Sequence, residues 1–271
     1  MSDDRSASLT VPKVRASKVR HGSAPLVMVT AYDAPGARIA DAAGVDLILV
    51  GDSVANVVLG YSDTLQVTID DMAHHVAAVA RAGPGALIVG DLPWMSYHVD
   101  VADTVRNAAI LIRAGARCVK LEGGAVRAPM VEALVRAEIP VMGHIGLTPQ
   151  SLNALGGFRV QAKDDESALL LVEEAGVLVD AGIFAIVVEA VPERVGAAVT
   201  AALDVPTIGI GAGPDCDGQV LVMHDLLGIT PSTAKFVRRY AELGDDATAA
   251  VAAYAADVRS GAFPADAEVY H

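Results

Sequence analysis

Short aliphatic runs recur along this chain, and between them lie longer stretches whose apolar residues return every three or four positions. The runs are uniformly apolar rather than alternating, as in Leu47-Ile48-Leu49-Val50. A strand of that kind is covered on both faces, the condition of a parallel sheet. Parallel neighbours need a crossover, usually a helix. Strands are read at 25–30, 46–51, 86–91, 117–122, 139–144, 183–189 and 206–211, with a fainter eighth at 225–230. A helix is read at 35–44. Thr68-Ile69-Asp70-Asp71 has the form of a capping box and opens a helix with Ile69, Met72, Val76 and Val79 on one face. Further stripes are Val101, Val105, Ala108 and Ile112, then Val126, Met130 and Leu134. A helix begins at Pro192, and another spans 246–259 with Val251, Tyr254 and Val258 in register.

In a chain of 271 residues, this repetition favours closure into a (β/α)8 TIM barrel over an open sheet. No linker composition interrupts it. The reading is therefore one domain over residues 1–271, with 1–22 as an N-terminal extension. The 145–165 segment, rich in Gly, Asn, Gln and Ser, is long for a loop of such a barrel and is expected to lie over the site.

Composition excludes several kinds of function. A net charge of −13 repels phosphate backbones and anionic lipid, and with 4% aromatic residues and one tryptophan, Trp94, there is no stacking platform for single strands. No nucleic-acid partner is expected. The longest stretch free of Asp, Glu, Lys and Arg, 139–158, contains His144, Pro149, Gln150 and Asn153, which suit no membrane span. Met1 to Thr10 is polar and lacks the apolar run of a secretory signal. Two cysteines, Cys118 and Cys216, make neither a disulfide scaffold nor a zinc site. These features predict a soluble cytoplasmic protein.

The strand ends carry the chemistry. They read Thr30-Ala31-Tyr32-Asp33, Gly51-Asp52-Ser53, Gly90-Asp91, Lys120-Leu121-Glu122, Gly143-His144, Glu189 and Gly209-Ile210-Gly211-Ala212-Gly213. In a barrel those ends surround one mouth, where active sites of the fold are built. A single aspartate there is an ordinary helix cap. Asp52, Asp91, Glu122 and Glu189, with Lys120, come from four strand ends and are more than caps require.

Asp52, Asp91 and Glu122 cannot all ionise close together without a compensating cation. The donors are hard oxygens, which favours Mg²⁺ over zinc, with Asp52 and Asp91 as direct ligands and Glu122 acting directly or through water. Lys120, two residues before Glu122 and on the same strand face, can hold a substrate anion. Glu189 closes the apolar strand Phe184-Ala185-Ile186-Val187-Val188, a setting suited to a general base. Ser53 can donate to a bound carboxylate or cap a helix. His144 can be a polar wall of the pocket or a core histidine. The run from Gly209 to Gly213 lacks dinucleotide-binding spacing, and Walker, nucleophile-elbow and H-E-x-x-H motifs are absent from the sequence.

These endings, extended as Gly90-Asp91-Leu92-Pro93, Val119-Lys120-Leu121-Glu122-Gly123-Gly124, Gly143-His144-Ile145-Gly146-Leu147-Thr148-Pro149-Gln150-Ser151 and Glu189-Ala190-Val191-Pro192, resemble the ketopantoate hydroxymethyltransferase family. The resemblance runs in order from about Leu9 to Phe263. It implies a barrel like those of phosphoenolpyruvate mutase and isocitrate lyase. It implies transfer of a hydroxymethyl group from 5,10-methylenetetrahydrofolate to 3-methyl-2-oxobutanoate, giving 2-dehydropantoate for pantothenate and coenzyme A synthesis through a Mg²⁺-stabilised enolate. By the same resemblance Asp52, Asp91 and Glu122 take the metal positions, Asp52, Ser53, Asp91 and Lys120 the keto-acid positions, and Glu189 that of the proton acceptor. It also implies a large homo-oligomer, often a decamer. The sequence departs from the family pattern at Gly60-Tyr61-Ser62-Asp63-Thr64-Leu65-Gln66 and in its tail from Pro264 onward.

The rival enzyme reading is a Mg²⁺-dependent C–C or C–P lyase of the isocitrate lyase or phosphoenolpyruvate mutase type. Such enzymes commonly carry a catalytic cysteine on a mobile loop, a place that neither Cys118 nor Cys216 occupies. A binding scaffold without catalysis would be expected to lack one or more of the mouth carboxylates.

Overall fold

Interior packing explains the barrel. In the computed structural model, which describes residues 9–231 and 234–271, eight parallel strands close in chain order, with the first pairing the last. They are β1 (Leu26–Thr30), β2 (Leu47–Val50), β3 (Leu87–Asp91), β4 (Cys118–Lys120), β5 (Val141–Gly146), β6 (Ala185–Glu189), β7 (Thr207–Ile210) and β8 (Gly218–Leu221). Side chains two apart share a strand face. Leu26 and Met28, Leu47 and Leu49, Leu87 and Val89, and Ala185 and Val187 accordingly join Cys118, Met142, Ile208 and Val220 in one buried cluster inside the barrel. The opposite faces, with Ile48, Ile88, Val119 and Ile186 buried in turn, account for the unbroken apolar runs.

The first helices follow their local signals. Asp33 caps Ala34–Ala42, and the Thr68 capping box opens Ile69–Arg81 with Met72, Val76 and Val79 buried. Two stripes are displaced from the sequence reading. In Val101–Ala114, opened by an Asp100 cap, the buried residues are Thr104, Ala108 and Leu111. Around Pro129 a 3-10 turn, Ala125–Arg127, precedes the helix Ala128–Arg136, which buries Val131 and Leu134 while Val126 is exposed.

The chain falls into two compact units, one ending at Val222 and holding the barrel, the other covering Met223–His271. The eighth strand also lies elsewhere than expected. β8 is Gly218–Leu221, and the expected 225–230 region begins inside the helix Met223–Leu226. Gly218 has no side chain to betray a strand, and none would fit: a Cβ there would stand 2.5 Å from the Leu26 carbonyl oxygen and 2.8 Å from Ile208.

Of the expected 1–22 extension, residues 1–8 lie outside the described residues. From Leu9 the segment is integral to the barrel. The short helix Val11–Arg15 inserts Val14 into the interior cluster beside the N-terminal ends of the strands. Lys18 is buried against Asp217 at 2.7 Å, which also accepts the Val19 amide. Among the described residues no helix is long and apolar enough to cross a membrane.

Candidate active site

The period of two that fills the barrel also builds its mouth. Asp91 continues the inward face of Leu87 and Val89, Lys120 and Glu122 that of Cys118, His144 that of Met142, and Glu189 that of Ala185 and Val187. Asp91 and Lys120 are paired across β3 and β4. Asp52 arrives differently, from the turn after β2, where its backbone N–H donates to Asp91 Oδ2 at 3.2 Å. Asp52, Asp91, Lys120, Glu122 and His144 are all buried, and Glu189 is slightly more open, at 15% side-chain exposure.

The charges interlock. Lys120 Nζ lies 2.8 Å from Asp91 Oδ1 and 3.7 Å from Glu122 Oε1. It also lies 3.3 Å from His144 Nδ1. His144 spans two carboxylates, with Nδ1 3.4 Å from Glu122 Oε1 and Nε2 3.2 Å from Glu189 Oε2. Burial and the Lys120 charge push His144 down, but Glu122 and the bonds to Glu122 and Glu189 outweigh them and carry it to about 9. His144 thus bridges Glu122 and Glu189 within the mouth.

Positive charge remains scarce. Burial, then the charges of Asp91 and Glu122, hold the Asp52 carboxyl well above the usual range. Asp91 is raised by burial against the opposing pull of Lys120. Burial would raise Glu122 as well, but His144, Lys120 and the Gln150 amide bring it below its ordinary value. Burial would lower Lys120, and its three carboxylate neighbours more than reverse that. Among the described residues no three His, Cys, Asp or Glu side chains form a group that could hold a metal ion by themselves. Asp52, Asp91 and Glu122 thus share one mouth without forming a ready-made triad, because the Lys120 ammonium stands between Asp91 and Glu122.

Ser53 turns to Tyr32, their hydroxyls 2.8 Å apart, and opens the short helix Val54–Val57 without a side-chain cap bond. Two residues of the site are given no role by the sequence reading. Gln150, in the 3-10 turn Pro149–Ser151, donates from Nε2 to Asp52 Oδ2 and from its backbone N–H to Glu122 Oε2. Tyr97, on the segment after β3, donates to Gln150 Oε1 and accepts from the Glu122 N–H. The 145–165 segment therefore contributes Gln150 to the site. Its entry depends on Gly146, whose φ is +90° and where a Cβ would meet the Glu189 carbonyl oxygen at 2.2 Å. Only glycine passes there. The Leu147 N–H then bonds that same carbonyl.

A closed (β/α)8 barrel with buried carboxylates, a lysine and a histidine at the C-terminal ends of its strands has the architecture of a barrel-mouth enzyme. The solved structure of 2,3-dimethylmalate lyase, a member of the phosphoenolpyruvate mutase/isocitrate lyase superfamily, matches with a TM-score of 0.62 at 17% identity, covering 97% of this chain and 89% of that one, so the fold is of that kind. A phosphonopyruvate hydrolase in complex with oxalate and Mg²⁺ matches with a TM-score of 0.61 at 14% identity, over 97% and 92%. At those identities the likeness is one of fold. The sequence is more specific: the ketopantoate hydroxymethyltransferase family model matches residues 8–266. The 3-methyl-2-oxobutanoate hydroxymethyltransferase of Methylobacterium sp. (strain 4-46) is 55% identical over 262 residues, 96% of this chain and 90% of that protein. The chain belongs to the ketopantoate hydroxymethyltransferase family and is an enzyme, a hydroxymethyltransferase.

Proposed function

We propose that the chain transfers a hydroxymethyl group from 5,10-methylenetetrahydrofolate to 3-methyl-2-oxobutanoate, forming 2-dehydropantoate for pantothenate and coenzyme A synthesis. The observation that carries this reading is the facing of Glu189 and the Asp52–Asp91–Lys120–Glu122 cluster across one buried mouth, bridged by His144. In this reading Glu189 takes the proton from C3 of the keto acid, while His144, 3.2 Å away, steadies the Glu189 carboxylate. Lys120 and Ser53 hold the substrate carboxylate. Water cleaves both C–N bonds of the one-carbon unit, freeing tetrahydrofolate and leaving formaldehyde; the carbanionic C3 adds to its carbonyl carbon, and the proton held by Glu189 passes to the alkoxide so formed.

The donor chemistry fits a hard divalent cation. Asp52 and Asp91 lie side by side, and burial raises both carboxyls, a state that a bound cation would relieve. Mg²⁺ takes one or two direct carboxylates and fills its remaining positions with water or substrate. Two protein ligands are therefore enough, with Glu122 reached through water. Bound there, Mg²⁺ would supply a Lewis acid for the oxygens of the keto acid. The alternative, a C–C or C–P lyase, has the likeness of fold behind it, whereas the family match favours transfer.

A cytoplasmic homo-oligomer, with a decamer as the family resemblance implies, completes the reading. The helix Leu243–Ser260 buries none of its residues, and Val251, Tyr254 and Val258 on it are exposed, an apolar stripe of the kind that subunits cover. Light scattering should give a particle several times the 27.8 kDa of one chain, and a monomer at micromolar concentration refutes the assembly. The chemistry is tested in D₂O. The C3 proton of 3-methyl-2-oxobutanoate should exchange with enzyme and Mg²⁺ alone, without folate. Absence of exchange in folded, metal-loaded protein overturns the reading.

A further inference from the structure

Gln150 lies at the centre of a hydrogen-bond network whose polarity is fixed at each end. The backbone N–H of Glu122 can only donate, so the Tyr97 hydroxyl accepts it, at 3.1 Å. That leaves the Tyr97 proton for Gln150, and the amide oxygen Oε1 receives it at 2.6 Å. The amide Nε2 must then face the other way, where two acceptors wait. These are Asp52 Oδ2 at 2.9 Å and the Leu92 carbonyl at 3.0 Å. A flipped amide would set its oxygen against both acceptors and its N–H₂ against the Tyr97 hydroxyl, so only one orientation satisfies every partner. The backbone N–H of the same residue donates to Glu122 Oε2 at 3.1 Å. Gln150 and Tyr97 are both buried.

The two residues come from different parts of the barrel. Tyr97 follows β3, Gln150 follows β5, and the carboxylates they hold follow β2 and β4. Neither residue is assigned a step in the reaction, yet one side-chain amide and one backbone amide restrain two of the three central carboxylates. Lys120 touches Asp91 and Glu122 at short range, and among the described residues no ion pair ties it to Asp52. The side-chain restraint on Asp52 comes from Gln150.

We infer that the Tyr97–Gln150 pair is a positioning device for the divalent cation, locking the Asp52 carboxylate into its ligating orientation and holding Glu122 in reserve beside it. Outer-shell hydrogen bonds of this kind typically govern metal affinity by about 10–100-fold. The inference rests on the metal-dependent reading above.

Its test is calorimetric titration of Mg²⁺ alone into the metal-free full-length protein, for the wild type, Tyr97→Phe, Gln150→Leu and the double variant. Each single variant should bind Mg²⁺ about 10–100-fold more weakly. The double variant should be little weaker than Gln150→Leu, because the hydroxyl acts through the amide. The Tyr97→Phe change removes one oxygen and keeps the ring, so it carries the test if Gln150→Leu fails to fold. In C3–H exchange the variants should recover toward the wild-type rate at saturating Mg²⁺. A merely structural role would lower the melting temperature and leave Mg²⁺ affinity unchanged, and that result overturns the inference alone. Fully additive losses in the double variant overturn it as well. If the wild-type protein takes up no Mg²⁺, the metal-dependent reading falls and the inference falls with it.

Discussion

Asp91 and Lys120 occupy directly paired positions on β3 and β4, and their charged ends meet at 2.8 Å with almost no access to solvent. An ion pair so buried gains from Coulomb attraction only what desolvation leaves, but removing one partner strands the other charge. Lys120→Met should therefore destabilise the metal-free protein by about 3–5 kcal/mol in urea unfolding. Adding Asp91→Asn to it should recover part of that loss. Equal destabilisation in the single and double variants would show that the charge of Asp91 is not what Lys120 compensates.

Asp91→Asn by itself isolates the metal. It removes one charge from a site where burial raises both Asp52 and Asp91. Mg²⁺ should bind more weakly, and binding of the keto acid should fall with it. Calorimetry with Mg²⁺ in the presence and absence of 3-methyl-2-oxobutanoate reads both effects, and unchanged Mg²⁺ affinity would count against Asp91 as a ligand.

Glu189→Gln keeps the shape of the side chain and can still bond to His144, but it cannot accept a proton near neutrality. Turnover should fall by roughly 10²–10⁴-fold, with Mg²⁺ and keto-acid binding nearly intact. Near-wild-type turnover, or loss of Mg²⁺ binding, removes Glu189 from the role of base.

The capping box gives a pH signature away from the site. Thr68 donates from both its N–H and its hydroxyl to Asp71 Oδ2, at 2.9 and 2.6 Å, and accepts the Asp71 N–H in return. The side-chain bond, then the backbone bond, hold the Asp71 carboxyl below its usual value. Because the folded value is the lower one, this stabilisation is fully present above the unfolded pKa of about 3.9 and is lost as pH falls through the folded one. Asp71→Asn should cost stability at pH 7, and the gap to wild type should close below about pH 4. Thr68→Ala should cost about 1 kcal/mol at pH 7. A wild-type advantage over Asp71→Asn that persists at pH 2 would contradict the assignment.

Strand repetition and strand-end chemistry were legible in the sequence because both are local. A buried parallel strand must be apolar on both faces, and the alternation of side chains carries an inward-facing position from Val89 to Asp91, from Cys118 to Lys120 and Glu122, and from Val187 to Glu189. The Thr68 box was legible for the same reason, since its partners lie three residues apart. Closure of the barrel decided the rest. β8 escaped notice because Gly218 owes its place to the close approach of Leu26 and Ile208 rather than to any apolar signal of its own. The position of Lys120 between Asp91 and Glu122 depends on the register of two strands. Tyr97 and Gln150 carry no periodic signal, stand 53 residues apart, and find each other only once β3 and β5 are fixed in one wall. Sequence periodicity says which way a side chain points, but a hydrogen bond between two loops exists only when the whole sheet has set the distance between them.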